Sequence, residues 1–178
     1  MNTRSNLYYL SLGSNLGNKA ANIENAIDFL RGKGKILKIS PLYETEPVGM
    51  EPDTEDFYNL VLNLQTPPSL SPLQLLREIK KFESSMKRDI SHSHNLPRTI
   101  DIDILLADDR VIKSKELTIP HQEMTKRAFV LVPFCEIAPD VVHPVLEKTI
   151  KEILEQLPQP YRTFKIKKIP KPPAGSPL

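Results

Sequence analysis

The sequence predicts an α+β domain on a ferredoxin-like βαββαβ core: a four-stranded antiparallel sheet with two helices on one face, then an added hairpin and C-terminal helices. Three observations carry this. Residues 57–65 (FYNLVLNLQ) and 98–106 (RTIDIDILL) alternate side chains in the two-residue rhythm of a strand. Two other segments space their apolar residues for a helix, with Ile23, Ala26, Ile27 and Leu30 on one face of the first and Leu73, Leu76, Ile79 and Phe82 on one face of the second. Read in order, the elements run strand, helix, strand, strand, helix, strand.

The first strand is the apolar run Leu7 to Leu12, which enters the turn GSNLGN; the helix behind it is ended by Gly32 and Gly34. Lys35 to Ser40 and Phe57 to Gln65 follow as strands, separated by an acidic loop containing Pro and Gly. In the second of these, Tyr58, Leu60, Leu62 and Leu64 share one face, and Phe57, Asn59, Val61 and Asn63 the other. Ser71 as N-cap, Pro72 at the first helical position and Gln74 as reciprocal partner open the second helix. After the polar loop KRDISHSHNLP comes the fourth strand, then a hairpin around Arg110 to Thr118, a helical stretch from about His121 to Ile137, and a last helix near Lys148 to Leu157.

With 178 residues the chain is long enough to bury about 70% of its unfolded surface without a disulfide or a structural metal. Its single cysteine, Cys135, lies in the apolar run LVPFCEIAP and reads as a small buried hydrophobe. No stretch approaches the roughly 20 apolar residues of a membrane span, and polar residues interrupt the first fifteen too early for a signal peptide. A cytoplasmic protein with no membrane partner is expected. Five basic and no acidic residues follow Leu157, which leaves 19 basic against 22 acidic in residues 1–157. A nucleic-acid binder would place its basic stripe on the folded body, so no nucleic-acid partner is expected. Residues 1–157 are read as one domain, and residues 158–178, with six of the seventeen prolines, as a basic, weakly ordered tail.

Asp101 and Asp103 are the sharpest chemical feature. Two apart in a strand, both carboxylates project from one face while Ile100, Ile102 and Ile104 enter the other layer, and the aspartate Cα atoms stand about 6.5 Å apart. Like charges held that close are relieved by a hard cation such as Mg²⁺, which takes one or two carboxylates together with substrate phosphate oxygens. A charged edge strand that resists aggregation is the alternative reading. Lys87, Arg88 and Arg98 lie close in sequence, and the planar arginine fork suits phosphate oxygens. A metal flanked by arginines points to a nucleotide polyphosphate. Neither a Walker lysine motif nor a GxSxG nucleophile elbow occurs, and GSNLG reads as a structural turn, with an anion cradle as its alternative. His92 and His94 read as solvated loop residues, while His121 could join a phosphate site if the chain folds back toward Asp101.

Taken together, GSNLG, YETEPVG, DFYN, PRTIDIDILL and LTIPHQEMTKRAFVLVPFCEIAPD resemble the 6-hydroxymethyl-7,8-dihydropterin pyrophosphokinase family of the folate pathway, in the same order from about Tyr8 to Leu157. The resemblance implies transfer of the β,γ-diphosphoryl group of ATP to the hydroxymethyl group of a reduced pterin, releasing AMP, with two Mg²⁺ ions held by Asp101 and Asp103. It implies a pterin pocket of Thr45, Val48, Phe57, Asn59 and Phe129, with Asp101 at its hydroxymethyl end. For ATP it implies Glu83, Arg88, Arg98, Ile104, Thr118, His121 and Arg127, of which Arg88 and Arg98 join the two aspartates as catalytic residues. A monomer acting on these two small molecules is expected.

The chain departs from the family pattern in one loop, where Asn95 replaces a usual aromatic and Leu96 a small residue; Gln122 and Glu116 also differ from common choices. A slower or weaker-binding enzyme is the consequence expected of Asn95. Two rival classes are a DxD-dependent nucleotidyl or glycosyl transferase, and a ferredoxin-like RNA-binding module. The first lacks the pterin-type positions; the second lacks the aromatic RNP pattern.

Overall fold

The computed structural model describes residues 5–47, 55–86 and 98–158, and the backbone of 166–168. Its centre is β1 (Asn6–Ser14), hydrogen-bonded on one side to β4 (Phe57–Thr66) and on the other to β5 (Asp101–Ala107), both antiparallel. A strand with neighbours on both edges and layers on both faces must be apolar almost throughout, hence YYLSL. On the far edge of β4, β2 (Lys35–Ile39) and β3 (Tyr43–Thr45) pair with its two ends in turn.

The sheet exceeds the expected four strands. Tyr43–Thr45 falls in a segment read as loop, and β10 (Ile166–Lys168) falls in the tail expected to be weakly ordered, yet it pairs with β3, Ile166 opposite Thr45. The strand order is β10-β3-β4-β1-β5, with β2 also on β4.

One face carries α1 (Lys19–Arg31) and α2 (Pro72–Met86), which close a core over Tyr8, Leu10, Leu12, Leu60, Leu62, Leu64, Ile100, Ile102 and Ile104. Asn18 caps α1, its side chain accepting from the Ala21 N–H. Gly34 is required by close approach, since a Cβ there would come within 2.2 Å of the Gln65 carbonyl oxygen. The capping box of α2 forms as expected: Gln74 Oε1 accepts from the Ser71 N–H at 2.9 Å and Ser71 Oγ from the Gln74 N–H at 3.4 Å. Its buried face is rotated from the expected one. Pro72, Leu75, Ile79 and Glu83 point inward, while Leu73, Leu76 and Phe82 flank the core, Phe82 stacking on Phe29 at 4.3 Å.

On the opposite face, α3 (Ala128–Ile137) and α4 (Ile150–Glu155) cover Tyr9, Val61, Leu105 and Leu106. The expected long helix from His121 is broken. A 3-10 turn (Met124–Lys126) ends at Arg127, whose extended backbone (φ −111°, ψ 105°) restarts the chain as α3. Half-buried Cys135 packs against this second core, and burial pushes its thiol pKa up, the opposite of an activated nucleophile. Two hairpins complete the described residues: β6 (Ile112–Lys113) with β7 (Thr118–Ile119), and β8 (Val142–His143) with β9 (Lys148–Thr149). No helix among the described residues is long and apolar enough to cross a membrane.

Candidate active site

The second face of the sheet is only half covered. Toward one end, Tyr9, Val61 and Leu105 meet α3; toward the other, the same strands present Gly13 on β1, Phe57 and Asn59 on β4, Thr45 on β3, and Asp101 and Asp103 on β5. Two-residue alternation therefore makes one strand serve both layers: Ile100, Ile102 and Ile104 are buried at 1%, 0% and 3% exposure, while the Asp101 and Asp103 side chains remain 27% and 30% exposed.

Basic side chains flank the carboxylates. Arg98 Nη1 donates to Asp101 Oδ2 at 2.5 Å, while His121 Nε2 and Arg127 Nη1 lie 3.8 and 4.0 Å from Asp103 Oδ2. His121 reaches this position because the chain does fold back: its N–H donates to the carbonyl of Leu105, beside the irregularity in the β1–β5 register. Burial and then the neighbouring Asp101 charge push the Asp103 pKa up, against His121, Lys80 and Arg127. Among the described residues no group of three or more His, Cys, Asp or Glu could hold a metal alone. Two partly exposed carboxylates, without a third protein ligand among the described residues, are a donor set that suits Mg²⁺ completed by phosphate oxygens, so the residues fit the ion expected there.

Beside the carboxylates lies a polar and aromatic wall. Asn59 Nδ2 donates to Thr45 Oγ1 at 2.7 Å, both side chains buried, and Gly13 leaves the space that Asn59 Oδ1 and the Phe57 ring fill. Phe129, in the first turn of α3, carries the Arg127 guanidinium 5.8 Å from its ring centre. Gln122 Nε2 lies 3.5 Å from Thr118 Oγ1, at the mouth of the short hairpin.

Two nucleotide positions differ in placement from the rest. Glu83 is 4% exposed and both its oxygens are engaged: Oε1 accepts from the Ile102 N–H at 2.7 Å and Oε2 from Lys80 Nζ at 2.8 Å. Burial raises its pKa, opposed by Lys80. Ile104 points its side chain into the first core, so only its backbone can meet a ligand. Val48, Arg88, Asn95 and Leu96 lie outside the described residues.

Sequence reasoning missed Lys80 and Asn15. Lys80 has its pKa raised although burial lowers it, because the Glu83, Asp101 and Asp103 charges outweigh burial. Its spacing three residues before Glu83 on a helix was the available signal. Asn15 is inside the GSNLG turn, where its side chain has no pattern to betray its long-range partners.

Residues 9–139 match the 7,8-dihydro-6-hydroxymethylpterin-pyrophosphokinase (HPPK) family. A 2-amino-4-hydroxy-6-hydroxymethyldihydropteridine pyrophosphokinase of Aquifex aeolicus is 44% identical over 144 residues, covering 81% of this chain and 88% of that protein. The folic acid synthesis protein fol1 of Schizosaccharomyces pombe is 40% identical over 173 residues, covering 94% of this chain; the chain spans 23% of fol1. Among solved structures, the Plasmodium falciparum HPPK-DHPS crystal structure superposes with a TM-score of 0.69 at 21% identity, over 86% of this chain and 44% of that one, a likeness of fold. By the family match and by these relatives, the chain belongs to the HPPK family.

Proposed function

We propose that this protein transfers the diphosphoryl group of ATP to the hydroxymethyl group of 6-hydroxymethyl-7,8-dihydropterin, giving the pterin diphosphate and AMP in folate biosynthesis. The observation that carries the reading is the partly exposed Asp101–Asp103 pair, placed between Arg98, His121 and Arg127 on one side and the Thr45–Asn59–Phe57 wall on the other. The pterin hydroxyl oxygen bonds to the β-phosphorus, the bond from that phosphorus to the α,β-bridging oxygen breaks, AMP departs with that oxygen, and the hydroxyl proton passes to solvent.

Asp101 and Asp103 would hold two Mg²⁺ ions, which would supply charge neutralisation for the transferred phosphates. Arg98, His121 and Arg127 exchange their carboxylate partners for phosphate oxygens, Arg88 is assigned to the same phosphates, and positioning and electrostatics account for most of the acceleration. Asn59 can both donate to and accept from a pterin edge, with Thr45 fixing its orientation, and Phe57, Phe129 and Val48 grip the ring. Thr118 and the Ile104 backbone complete the nucleotide side; Glu83 joins them only by exchanging its Lys80 bond.

The ferredoxin-like reading of the core is supported by the order β5-β1-β4 with β2 on β4. A cytoplasmic monomer of one domain over residues 1–157, to whose sheet the tail adds β10, is the accompanying proposal, and the acidic balance of residues 1–157 supports the expectation of no nucleic-acid partner. The test is a product assay with ATP, Mg²⁺ and the reduced pterin that separates AMP from ADP. AMP formed in step with pterin diphosphate is expected; ADP, or no nucleotide product, would overturn the assignment.

A further inference from the structure

We propose that Asn15 is a positioning residue for the transfer reaction, fastening the phosphate-side and pterin-side walls of the site to one turn. Asn15 is 1% exposed and makes a reciprocal pair with Arg98: its Oδ1 accepts from the Arg98 N–H at 2.7 Å, and its own N–H donates to the Arg98 carbonyl at 3.1 Å. Next to it, Ser14 Oγ donates to the Thr99 carbonyl at 2.6 Å. The two residues that lead into Ile100 and the Asp101 strand are thus held by three bonds to a turn some 80 residues earlier, and Arg98 in turn bonds Asp101.

The other hand of the turn holds the entry to β4. Asn15 Nδ2 lies 3.5 Å from the Glu55 carbonyl, and Lys19 Nζ donates to the Asp56 carbonyl at 3.0 Å, immediately before Phe57. Local needs do not explain Asn15. The cap of α1 is made by Asn18, and the turn is tied internally by Asn22, whose Nδ2 donates to the Leu16 carbonyl at 2.8 Å and to Ser14 Oγ at 3.1 Å. Asn15 spends its side chain entirely on segments 40 and 83 residues away in sequence. An amide is the suitable group, since one end accepts and the other donates, and errors of about an ångström in a phosphate-binding arginine are costly to in-line transfer.

The inference rests on the reaction proposed above, and the wild-type product assay separates the two: no AMP from the wild type defeats that reading, whereas AMP from the wild type sets the reference for this one. Asn15→Ala and Asn15→Ser are compared with Asn18→Ala, which loosens the same turn region by removing a helix cap, all at temperatures where circular dichroism shows them folded. The Ser variant keeps a polar group in the buried slot and carries the test if the Ala variant does not fold. Expected are at least tenfold lower kcat and at least fivefold weaker pterin and ATP KM for the Asn15 variants, with Asn18→Ala within twofold of wild type in all three. Asn15 variants that lose only thermal stability, with constants within twofold of wild type, would overturn the proposal. So would an Asn18→Ala variant impaired as much as they are, since loosening of the turn would then suffice.

Discussion

Gly13 lies directly against Asn59: a Cβ on Gly13 would come within 2.9 Å of Asn59 Oδ1, closer than side chains tolerate. Since Asn59 is buried and bonded to Thr45, it cannot yield without leaving that partner. Gly13→Ala is therefore expected to cost about 1–3 kcal/mol of stability from overpacking. It should also weaken pterin binding several-fold while ATP binding stays within twofold, as titration calorimetry with each substrate would read. Equal losses for both substrates would speak against a local displacement of Asn59.

Asp101→Asn and Asp103→Asn keep the strand's shape and its inward isoleucines, so each should retain a wild-type melting temperature within about 3 °C, or rise slightly as like-charge repulsion is relieved. Turnover should fall by about a thousandfold or more in each, and any strengthening of ATP binding by Mg²⁺ measured in the wild type should be lost. Near-normal turnover in either variant removes that carboxylate from the chemistry.

Glu83 accepts from the Ile102 N–H at the point on β5 between the two aspartates. Glu83→Gln retains an acceptor there and relieves the burial of a charge, so its stability in urea should stay within about 1 kcal/mol of wild type. Glu83→Leu leaves that N–H without a partner and should cost about 1–3 kcal/mol more than the Gln variant. A Leu variant as stable as Gln would show that the bond is dispensable.

His143 is buried, and its Nδ1 accepts from the Val145 and Leu146 N–H groups, a role only the neutral ring can fill. Burial lowers its pKa accordingly. In the window between the unfolded value of about 6.5 and the lower folded value, the unfolded chain takes up a proton that the folded chain refuses. Stability from this group is thus fully present above about pH 6.5 and is lost as the pH falls through that window. His143→Asn, which can still accept from the following N–H groups, should flatten the decline in melting temperature between about pH 7 and pH 5. Parallel curves for the two proteins would refute the assignment.

β10 supplies the outermost strand, and its Ile166 stands opposite Thr45. Removing residues 159–178 takes away its backbone pairing with β3, a loss of about 2 kcal/mol at 0.5–1.5 kcal/mol per hydrogen bond, and should lower the melting temperature by a few degrees. Pterin KM should rise more than ATP KM, because Thr45 orients Asn59. A truncated chain with unchanged stability and constants would make the strand an ornament of the edge.

Much of this was legible because alternation is a strong local signal. Phe57 to Gln65 gave away its strand and faces, and of Arg98 to Leu106 the strand proper begins at Asp101 and keeps its alternation to Ile104, where the register shifts, so Asp101, Asp103, Phe57 and Asn59 could be placed on one surface from the letters alone. Helical spacing was less decisive: Leu73, Leu76 and Phe82 were as plausible an inward face as Leu75 and Ile79, and a buried Glu83 is invisible to any hydrophobic pattern because its partner is a distant backbone N–H. The three-residue strands Tyr43–Thr45 and Ile166–Lys168 are too short for periodicity; pairing makes them strands. Asn15 was hidden for the same reason, its partners lying 40 and 83 residues along the chain.

The interleaving of isoleucine and aspartate on β5 has a consequence for how this protein can vary. A slip of one residue against β1 would turn the carboxylates into the apolar layer and the isoleucines into water, so foldability and chemistry stand or fall with the same register. Insertions within Ile100 to Leu106 should therefore be absent from any library selected for folding alone. Substitutions at the outward positions, by contrast, are uncoupled from the packed layer beneath. A combinatorial library that fixes Ile100, Ile102 and Ile104, keeps the buried Thr45–Asn59 pair and randomises Asp101, Asp103 and Phe57 would explore new ligands on a scaffold that keeps assembling.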